Sequence, residues 1–221
     1  MAKPTFYYMP ESPPCRTVMA VARMIGLDME MKKLNLRNKE HLTPEFLKIN
    51  PMHKVPTLVE PDGFALGESR AISTYIIQKY KPSSPLYPVD DLRRRAHIDG
   101  WLQYDCSTLG PALRAVIMDR MYGGGLNENR LNQTKETLKT LNEVLKALEG
   151  RYLLDDQITV ADISMYFSCN MIEVLPDLEM SDYEHLCKWY KNMTEAMNAV
   201  DHDGLFAEAI QSAKKYIAEK L

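Results

Sequence analysis

The stretch Ser12-Pro13-Pro14-Cys15 has the length of a C-x-x-C redox turn in which serine occupies the first cysteine position. It follows a short apolar run and precedes a helical pattern, so it is expected where a strand leads into a helix N-terminus. The first amide groups of such a helix are unpaired and its dipole is positive there, which stabilises an anion. Ser12 therefore has two interpretations: its hydroxyl caps the helix, or it donates a hydrogen bond to the thiolate of a ligand.

Cys15 raises an alternative chemistry, that of a thiol-disulfide reductase. This reaction needs a cysteine at the first position of the turn, where the attacking thiolate gains from the helix terminus. Because Ser12 stands there and Cys15 lies one turn further in, we interpret Cys15 as a small packed residue. Lowering the pKa of a thiol by one unit takes about 1.4 kcal/mol of preferential thiolate stabilisation. A charge-assisted hydrogen bond at a helix terminus can supply that amount.

Two further stretches could hold the rest of a ligand. Val55-Pro56 lies between a helical and a hairpin pattern, where a cis peptide would turn the N–H and C=O of Val55 outward to pair with an extended peptide. Glu68-Ser69 opens a helix whose amide groups suit a carboxylate, and Glu68 could accept an ammonium group. An edge proline and a helix cap would explain the same residues without a ligand. Together they describe a groove for a short, doubly charged peptide that carries a thiol.

These residues need a scaffold, and the pattern of residues 1–82 predicts βαβ followed by αββα. The β-prone runs are Thr5–Met9, Met29–Leu36, Val55–Glu60 and Phe64–Leu66. The helical patterns are Cys15–Ile25, Thr43–Asn50 and Ser69–Tyr80. Parallel strands joined by a crossover helix and closed by a hairpin and a helix make a small mixed sheet with helices on its faces.

The rest of the chain has a different pattern. Eleven of the 13 prolines lie at or before Pro88, and residues 83–91 combine Pro and Ser in a segment expected to be a linker. Residues 92–221 show apolar residues at helical spacing, which predicts an all-α bundle. One helix face consists of leucines: Leu138, Leu141, Leu145 and Leu148. Thr159 and Asp162 have the spacing of a capping box that starts another helix.

Composition excludes several classes of function. A net charge of −3 gives no electrostatic reason to expect a nucleic acid or a membrane surface as partner. No window approaches the ~18 to 20 apolar residues of a membrane span, and no apolar core of signal-peptide length precedes Pro10, so a cytoplasmic location is expected. The cysteines are widely spaced and predict neither disulfides nor a metal site. They are Cys15, Cys106, Cys169 and Cys187.

In combination, these motifs resemble the cytosolic glutathione transferases, and more closely their insect Delta and Epsilon classes. The matching stretches are Tyr7–Arg16, Leu34–Ile76 and Ile158–Ile163. The resemblance implies a thioredoxin-like N-terminal domain (βαβαββα) with the glutathione site, and an all-helical C-terminal domain that contributes most of the electrophile site. It also implies a homodimer that conjugates glutathione to hydrophobic electrophiles in detoxification, without a metal. Glutathione-dependent peroxidase or isomerase activity, and non-catalytic carriage of hydrophobic ligands, stay open as alternatives on the same fold.

Carried over residue by residue, the resemblance makes Ser12 the hydroxyl that activates the glutathione sulfur. Val55 would pair with the cysteinyl backbone, presented by a cis Pro56, and Asp105 would join the polar network that supports Glu68. The implied glutathione-binding residues, from the glycyl to the γ-glutamyl end, are His41, His53, Lys54, Val55, Pro56, Glu68, Ser69 and Arg70.

The electrophile site is nominated from position and helical phase. Its candidate residues are Pro10, Leu36, Tyr104, Leu109, Met118, Met121 and Tyr122. Methionine and tyrosine suit an adaptable apolar pocket, although an ordinary helix core uses the same residues. Pro111 is expected to bend or restart its helix and so to change the shape of the pocket. Glu11 is expected to face solvent, because an acid pointing into the site would oppose thiol ionisation.

Overall fold

A four-stranded mixed sheet with helices on its faces forms the first half of the molecule. The computed structural model describes residues 2–122, 125–148 and 150–219. The first elements are β1 (Thr5–Tyr8), α1 (Pro13–Ile25), β2 (Glu30–Lys33), α2 (Pro44–Ile49), β3 (Thr57–Val59), β4 (Ala65–Gly67) and α3 (Ser69–Tyr80). The strand order is β2-β1-β3-β4; β1 and β2 run parallel, and the other two pairs are antiparallel. The predicted βαβαββα order is confirmed.

Burial explains which residues form the sheet. Phe6 of β1 and Leu58 of β3 are paired in register and fully buried, whereas every residue of the edge strand β2 is exposed. α1 and α3 pack side by side against the sheet through apolar residues such as Val18 and Ile76. β1, β2 and β3 are shorter than the apolar runs that predicted them, because pairing ends where a turn begins, and β4 lies one residue later than predicted. Thr43 caps α2 and accepts a hydrogen bond from the Phe46 amide.

Helices make up the second half, as predicted. They are α4 (Leu92–Tyr104), α5 (Gly110–Tyr122), α6 (Glu128–Ala147), α7 (Val160–Val174), α8 (Glu184–Asn198) and α9 (Leu205–Ala218). α7 lies in the centre, and all its residues from 160 to 170 are buried. Its capping box is present: the Asp162 carboxylate accepts from the Thr159 amide and hydroxyl, at 2.9 and 2.8 Å. On α6, Leu138, Leu141 and Leu145 are buried as the leucine face predicts.

The junction of α4 and α5 departs from a regular helix. Residues Asp105–Leu109 form a π-helix, and α5 begins at Gly110, directly before Pro111. Because Pro111 has no amide hydrogen, a regular helix through this point would lose a backbone hydrogen bond, and the wide turn is placed where that bond is missing. This is the restart that the proline predicted.

The two halves pack directly against each other. α1 contacts α3 on one side and α7 on the other. The segment between the halves also packs into the structure, since Leu86 and Tyr87 are buried and the Leu86 carbonyl accepts from the Val160 amide at 2.9 Å. In the ranges that the structure covers, every helix is too short or too polar to cross a membrane.

Candidate functional site

Ser12 occupies the N-cap position of α1. The next two residues are prolines without amide hydrogens, and the amides of Cys15 and Arg16 bond to the Ser12 carbonyl at 3.0 and 3.1 Å. Among the described residues, none donates a helix-cap hydrogen bond to the Ser12 hydroxyl. This half-buried hydroxyl therefore lies at the positive end of α1 without a capping role.

Cys15 is fully buried behind Ser12. Burial raises the pKa of its thiol to about 11, and a hydrogen bond with the Ser12 side chain offsets only part of that rise. The thiol is therefore protonated at neutral pH and is a poor nucleophile. This agrees with the interpretation of Cys15 as a packed residue.

The peptide bond between Val55 and Pro56 is cis. Asn50 fixes the segment from one side: its amide nitrogen donates to the Lys54 carbonyl at 3.1 Å and to the Thr57 hydroxyl at 2.8 Å. Val55 itself precedes the β3 ladder, which begins at Thr57. Sequence reasoning missed Asn50, although its position just before the Pro51 turn was a signal for a residue that bonds to the local backbone.

His41 and His53 come together at the open side of this segment, with ring centroids 6.3 Å apart. His53 and Lys54 are exposed, whereas the Nδ1 atom of His41 is buried and has no hydrogen-bond partner in the described part of the chain. A buried polar atom without a partner is costly. The exposed His53 and Lys54 are the groups in this segment that an anionic ligand could reach.

Glu68 and Ser69 stand at the N-terminus of α3. Glu68 has φ 65° and ψ 110°, a conformation that non-glycine residues rarely adopt and that costs on the order of 1–3 kcal/mol. Its exposed side chain accepts no cap hydrogen bond from the described residues, while Ser69 is buried. The strained backbone directs the Glu68 side chain outward beside the N-terminus of α3. This arrangement suits a ligand that carries both an ammonium group and a carboxylate.

Arg70 links this helix to the second half of the molecule. It donates to Oδ2 of Asp105 at 2.5 Å, and the Ser164 hydroxyl of α7 donates to the same oxygen at 2.6 Å. Asp105 is fully buried at the start of the π-helix. The predicted participation of Asp105 thus takes the form of an ion pair with the neighbour of Glu68 and Ser69. Ser164 was missed because its partner lies 59 residues away in the sequence.

The nominated electrophile residues do not share one environment. Pro10, Leu36, Tyr104 and Met121 are half-buried, and Met118 and Tyr122 are exposed on α5. Leu109 has no exposed surface and packs in the helical core. The π-helix ends at Leu109 and turns its side chain inward, so Leu109 has no surface to offer to a ligand.

Helix α9 forms part of this region and was not foreseen. The Ser212 hydroxyl donates to Oε1 of Glu11 at 3.5 Å, and the Arg37 guanidinium lies 4.2 Å from the Tyr216 ring centroid. Ser212 and Tyr216 are four residues apart and therefore share one face of the helix. Through this face, α9 contacts Glu11, which precedes Ser12, and Arg37, which follows Leu36. Glu11 is half-buried and directed at α9 rather than at open solvent.

Comparison with known proteins agrees with this geometry. Residues 6–84 match the family model of the glutathione S-transferase N-terminal domain, and residues 109–196 match that of the C-terminal domain. A delta-class glutathione transferase of Nilaparvata lugens is 32% identical, with a TM-score of 0.90 over 99% of this chain and 100% of that one. The chain belongs to the glutathione S-transferase family.

Other solved glutathione S-transferases are similar over nearly their whole length. An epsilon-class enzyme of the housefly, Musca domestica, is 28% identical, covers 99% of this chain and 98% of its own, and has a TM-score of 0.87. A glutathione transferase homologue of Drosophila mojavensis, solved with bound glutathione, is also 28% identical, with a TM-score of 0.87 over 100% of this chain and 98% of that one. The chain is thus a transferase of this type, and glutathione is the co-substrate that its family uses.

In this glutathione S-transferase the sequence-predicted glutathione residues occupy three segments of the first half: the N-terminus of α1, the cis segment with its histidines, and the N-terminus of α3. Their side chains and backbone groups supply a hydroxyl, cations, an acid and helix amides, which are the groups that a thiol-bearing tripeptide with two carboxylates and an ammonium requires. Over the described ranges, no cluster of His, Cys, Asp or Glu could hold a metal ion.

Proposed function

We propose that this enzyme holds glutathione as a thiolate against Ser12 and lets the sulfur attack an electrophilic carbon of an apolar co-substrate. A new S–C bond forms, the thiol proton passes to solvent, and a leaving group departs with the electron pair of the broken bond. The observation that carries the proposal is the Ser12 hydroxyl, which lies at the N-terminus of α1 and is not used as a cap. A hydrogen-bond donor at a helix terminus lowers the pKa of a thiol.

The rest of glutathione is held along the groove. The glycyl carboxylate binds near His41, His53 and Lys54, of which His53 and Lys54 are exposed. The cysteinyl backbone pairs with Val55. The γ-glutamyl end binds at the N-terminus of α3, where Glu68 accepts its ammonium group and the amides at Ser69 bind its carboxylate. Arg70, held by Asp105, fixes the orientation of that helix terminus.

The electrophile binds between the two halves. Its pocket comprises six of the nominated residues, Pro10, Leu36, Tyr104, Met118, Met121 and Tyr122, without the core residue Leu109. The face of α9 that carries Ser212 and Tyr216 forms one more wall. Flexible methionine side chains suit a pocket that accepts several apolar substrates.

Further features belong to the same proposal. The domains are 1–82 and 92–221 with the linker 83–91, the protein is cytoplasmic, and two copies form a homodimer. A place among the insect Delta or Epsilon classes is supported by the delta-class and epsilon-class relatives. The role is detoxification of hydrophobic electrophiles. A panel that includes chlorodinitrobenzene and an organic peroxide separates conjugation from peroxidase activity, and turnover with and without glutathione separates both from ligand carriage.

The deciding experiment is Ser12→Ala. Loss of one hydrogen-bond donor to the developing charge should lower turnover about 100-fold, while glutathione affinity stays within a few fold. Ser83→Ala is the matched control: it removes a serine hydroxyl at an exposed position of the linker and should leave the activity unchanged. Full turnover of Ser12→Ala with chlorodinitrobenzene would overturn the proposal.

A further inference from the structure

Arg16, one turn into α1, is a buried cation with an unusual set of partners. Its side chain is only 2% exposed. One guanidinium nitrogen donates to the carbonyls of Pro10 and Glu11, at 3.4 and 3.5 Å, and another donates to Oδ1 of Asn170 at 3.5 Å. Within the described chain, Nε has no partner, and the acceptors of the guanidinium are two carbonyls and an amide oxygen rather than a carboxylate. Buried charges are normally paired, so this one requires an explanation.

Apart from Glu11, whose carboxylate favours the charged form of Arg16, the ionisable groups that face Arg16 carry no negative charge at neutral pH. Burial raises the pKa of the Tyr166 and Tyr190 phenols, so both are neutral at neutral pH. The Cys15 thiol, with its raised pKa, is neutral as well. Burial lowers the pKa of Arg16 to about 10, which still leaves it protonated.

Two carboxylates lie further out, and both have partners. Glu173 accepts from the Tyr190 hydroxyl and from the Lys214 ammonium group, the latter at 3.0 Å. Glu11 turns its carboxylate to Ser212 of α9. Arg16 therefore has no ion-pair partner among the described residues, and its positive charge can also act on an anion that enters from the side of Ser12.

The direction of the side chain places that charge behind the site. Side chains on a helix lean toward its N-terminus, and the guanidinium of Arg16 reaches back to the two carbonyls that immediately precede Ser12. It lies 5.5 Å from the Phe167 ring centroid and is held in place by Asn170, whose amide donates to the Tyr190 hydroxyl. The contacts thus join the loop that carries Ser12 to helices α7 and α8.

We propose that Arg16 is a positioning residue for this reaction: it holds the Pro10–Glu11 backbone so that the Ser12 hydroxyl faces the glutathione sulfur, and the thiolate is the counter-charge of its buried guanidinium. The inference rests on the proposed function of Ser12. A unit charge about 10 Å away at an effective dielectric constant of about 20 changes the pKa of a thiol by roughly one unit.

The test is the pKa of the thiol of enzyme-bound glutathione, followed through the ultraviolet absorbance of the thiolate as pH is varied. Arg16→Met keeps the length of the side chain but removes the charge, and it should raise that pKa by about one unit. Below the pKa, kcat/KM should then fall about tenfold, with glutathione affinity within a few fold. Arg16→Lys restores the charge and should return the pKa to within about 0.3 unit. A purely structural role would not separate these two variants.

A second variant leaves Arg16 in place. Asn170→Asp puts a carboxylate opposite the guanidinium and should raise the pKa of the bound thiol in the same direction. Asn132→Asp, on the exposed surface of α6, makes the same change in net charge and should have no effect. If Arg16→Met does not fold, Asn170→Asp decides the question.

Ser12→Ala provides the reference for both proposals. If it raises the pKa of the bound thiol while the Arg16 and Asn170 variants leave it unchanged, the role of Arg16 is refuted and the proposed function stands. If Ser12→Ala itself leaves the pKa and turnover unchanged, the proposed function is refuted and the role of Arg16 falls with it. A rise in all three variants, with rescue by Arg16→Lys, supports both.

Discussion

The groove proposed for glutathione and the pocket proposed for the electrophile are built in opposite ways. The first uses backbone features within one half of the chain: the N-termini of α1 and α3 and the cis peptide before Pro56. The second joins loops of the sheet half, the last turns of α5 and a face of α9, which the fold brings together from both ends of the sequence. A site made of local backbone geometry leaves a local signature, whereas a site made of packed helices leaves almost none.

Asp105→Ala tests whether the glutathione groove depends on residues of the helical half. We expect it to have the largest effect of the variants compared below. The substitution leaves Arg70 partly buried without its carboxylate, and breaking such a pair costs roughly 3–5 kcal/mol. The free energy of unfolding from denaturant titration should fall by about that amount, and glutathione affinity should fall with it. Asp90→Ala, at an exposed position, serves as control. A loss below about 1 kcal/mol would mean that the groove does not depend on the helical half.

Leu109→Ala tests whether Leu109 belongs to the core of the helical half or to the electrophile pocket. Truncation of a fully buried leucine should cost about 2–5 kcal/mol of stability. The ratio of kcat/KM for small and bulky electrophiles should stay the same, because Leu109 faces the core. Met121→Ala is the counterpart: it should change that ratio with a smaller loss of stability. If Leu109→Ala shifts the ratio as strongly as Met121→Ala, Leu109 belongs to the pocket after all.

Glu68→Gly should separate stability from binding within the groove. Glycine adopts positive φ without strain, so the free energy of unfolding should rise by about 0.5–1 kcal/mol. Glutathione affinity should fall roughly 10- to 150-fold, because a charge-assisted hydrogen bond contributes on the order of 1.5–3 kcal/mol. Calorimetry and a binding titration on the same preparation measure both. The idea fails if Glu68→Gly binds glutathione as well as the wild type does.

Arg37→Ala should have the smallest effect and should be confined to the pocket. An exposed cation–π contact contributes about 0.5–1 kcal/mol, so kcat/KM for a bulky electrophile should change two- to fivefold. Glutathione affinity should be unaffected. Arg93→Ala, on the exposed surface of α4, is the matched control. Equal effects of the two variants would remove α9 from the proposed pocket.

The sequence allowed prediction of the fold, the element order and local backbone features of the proposed groove. The helix over Ser69–Tyr80 has the predicted bounds, and Val55-Pro56 and the capping box at Thr159 are present. Each of these depends on residues within a few positions of one another. Strand ends were placed less well, because an apolar run continues where pairing stops.

Contacts between distant parts of the chain could not be predicted. Ser164 reaches Asp105 only after α7 packs against the π-helix, and Ser212 reaches Glu11 only after α9 crosses the molecule. Leu109 was assigned to the pocket from regular helical phase, which the wide turn interrupts. Helical periodicity shows which residues share a face but does not show which neighbour covers that face.

The wide turn also limits how this enzyme can diversify. A methyl group on Gly110 would lie 2.9 Å from the carbonyl oxygen of Asp105, so alanine at this position requires the backbone to shift. That backbone belongs to the residue that anchors Arg70, and a shift there would disturb the groove. Descendants that acquire new electrophiles are therefore expected to vary the distal turns of α5, at Met118 and Met121, while position 110 keeps the smallest residue.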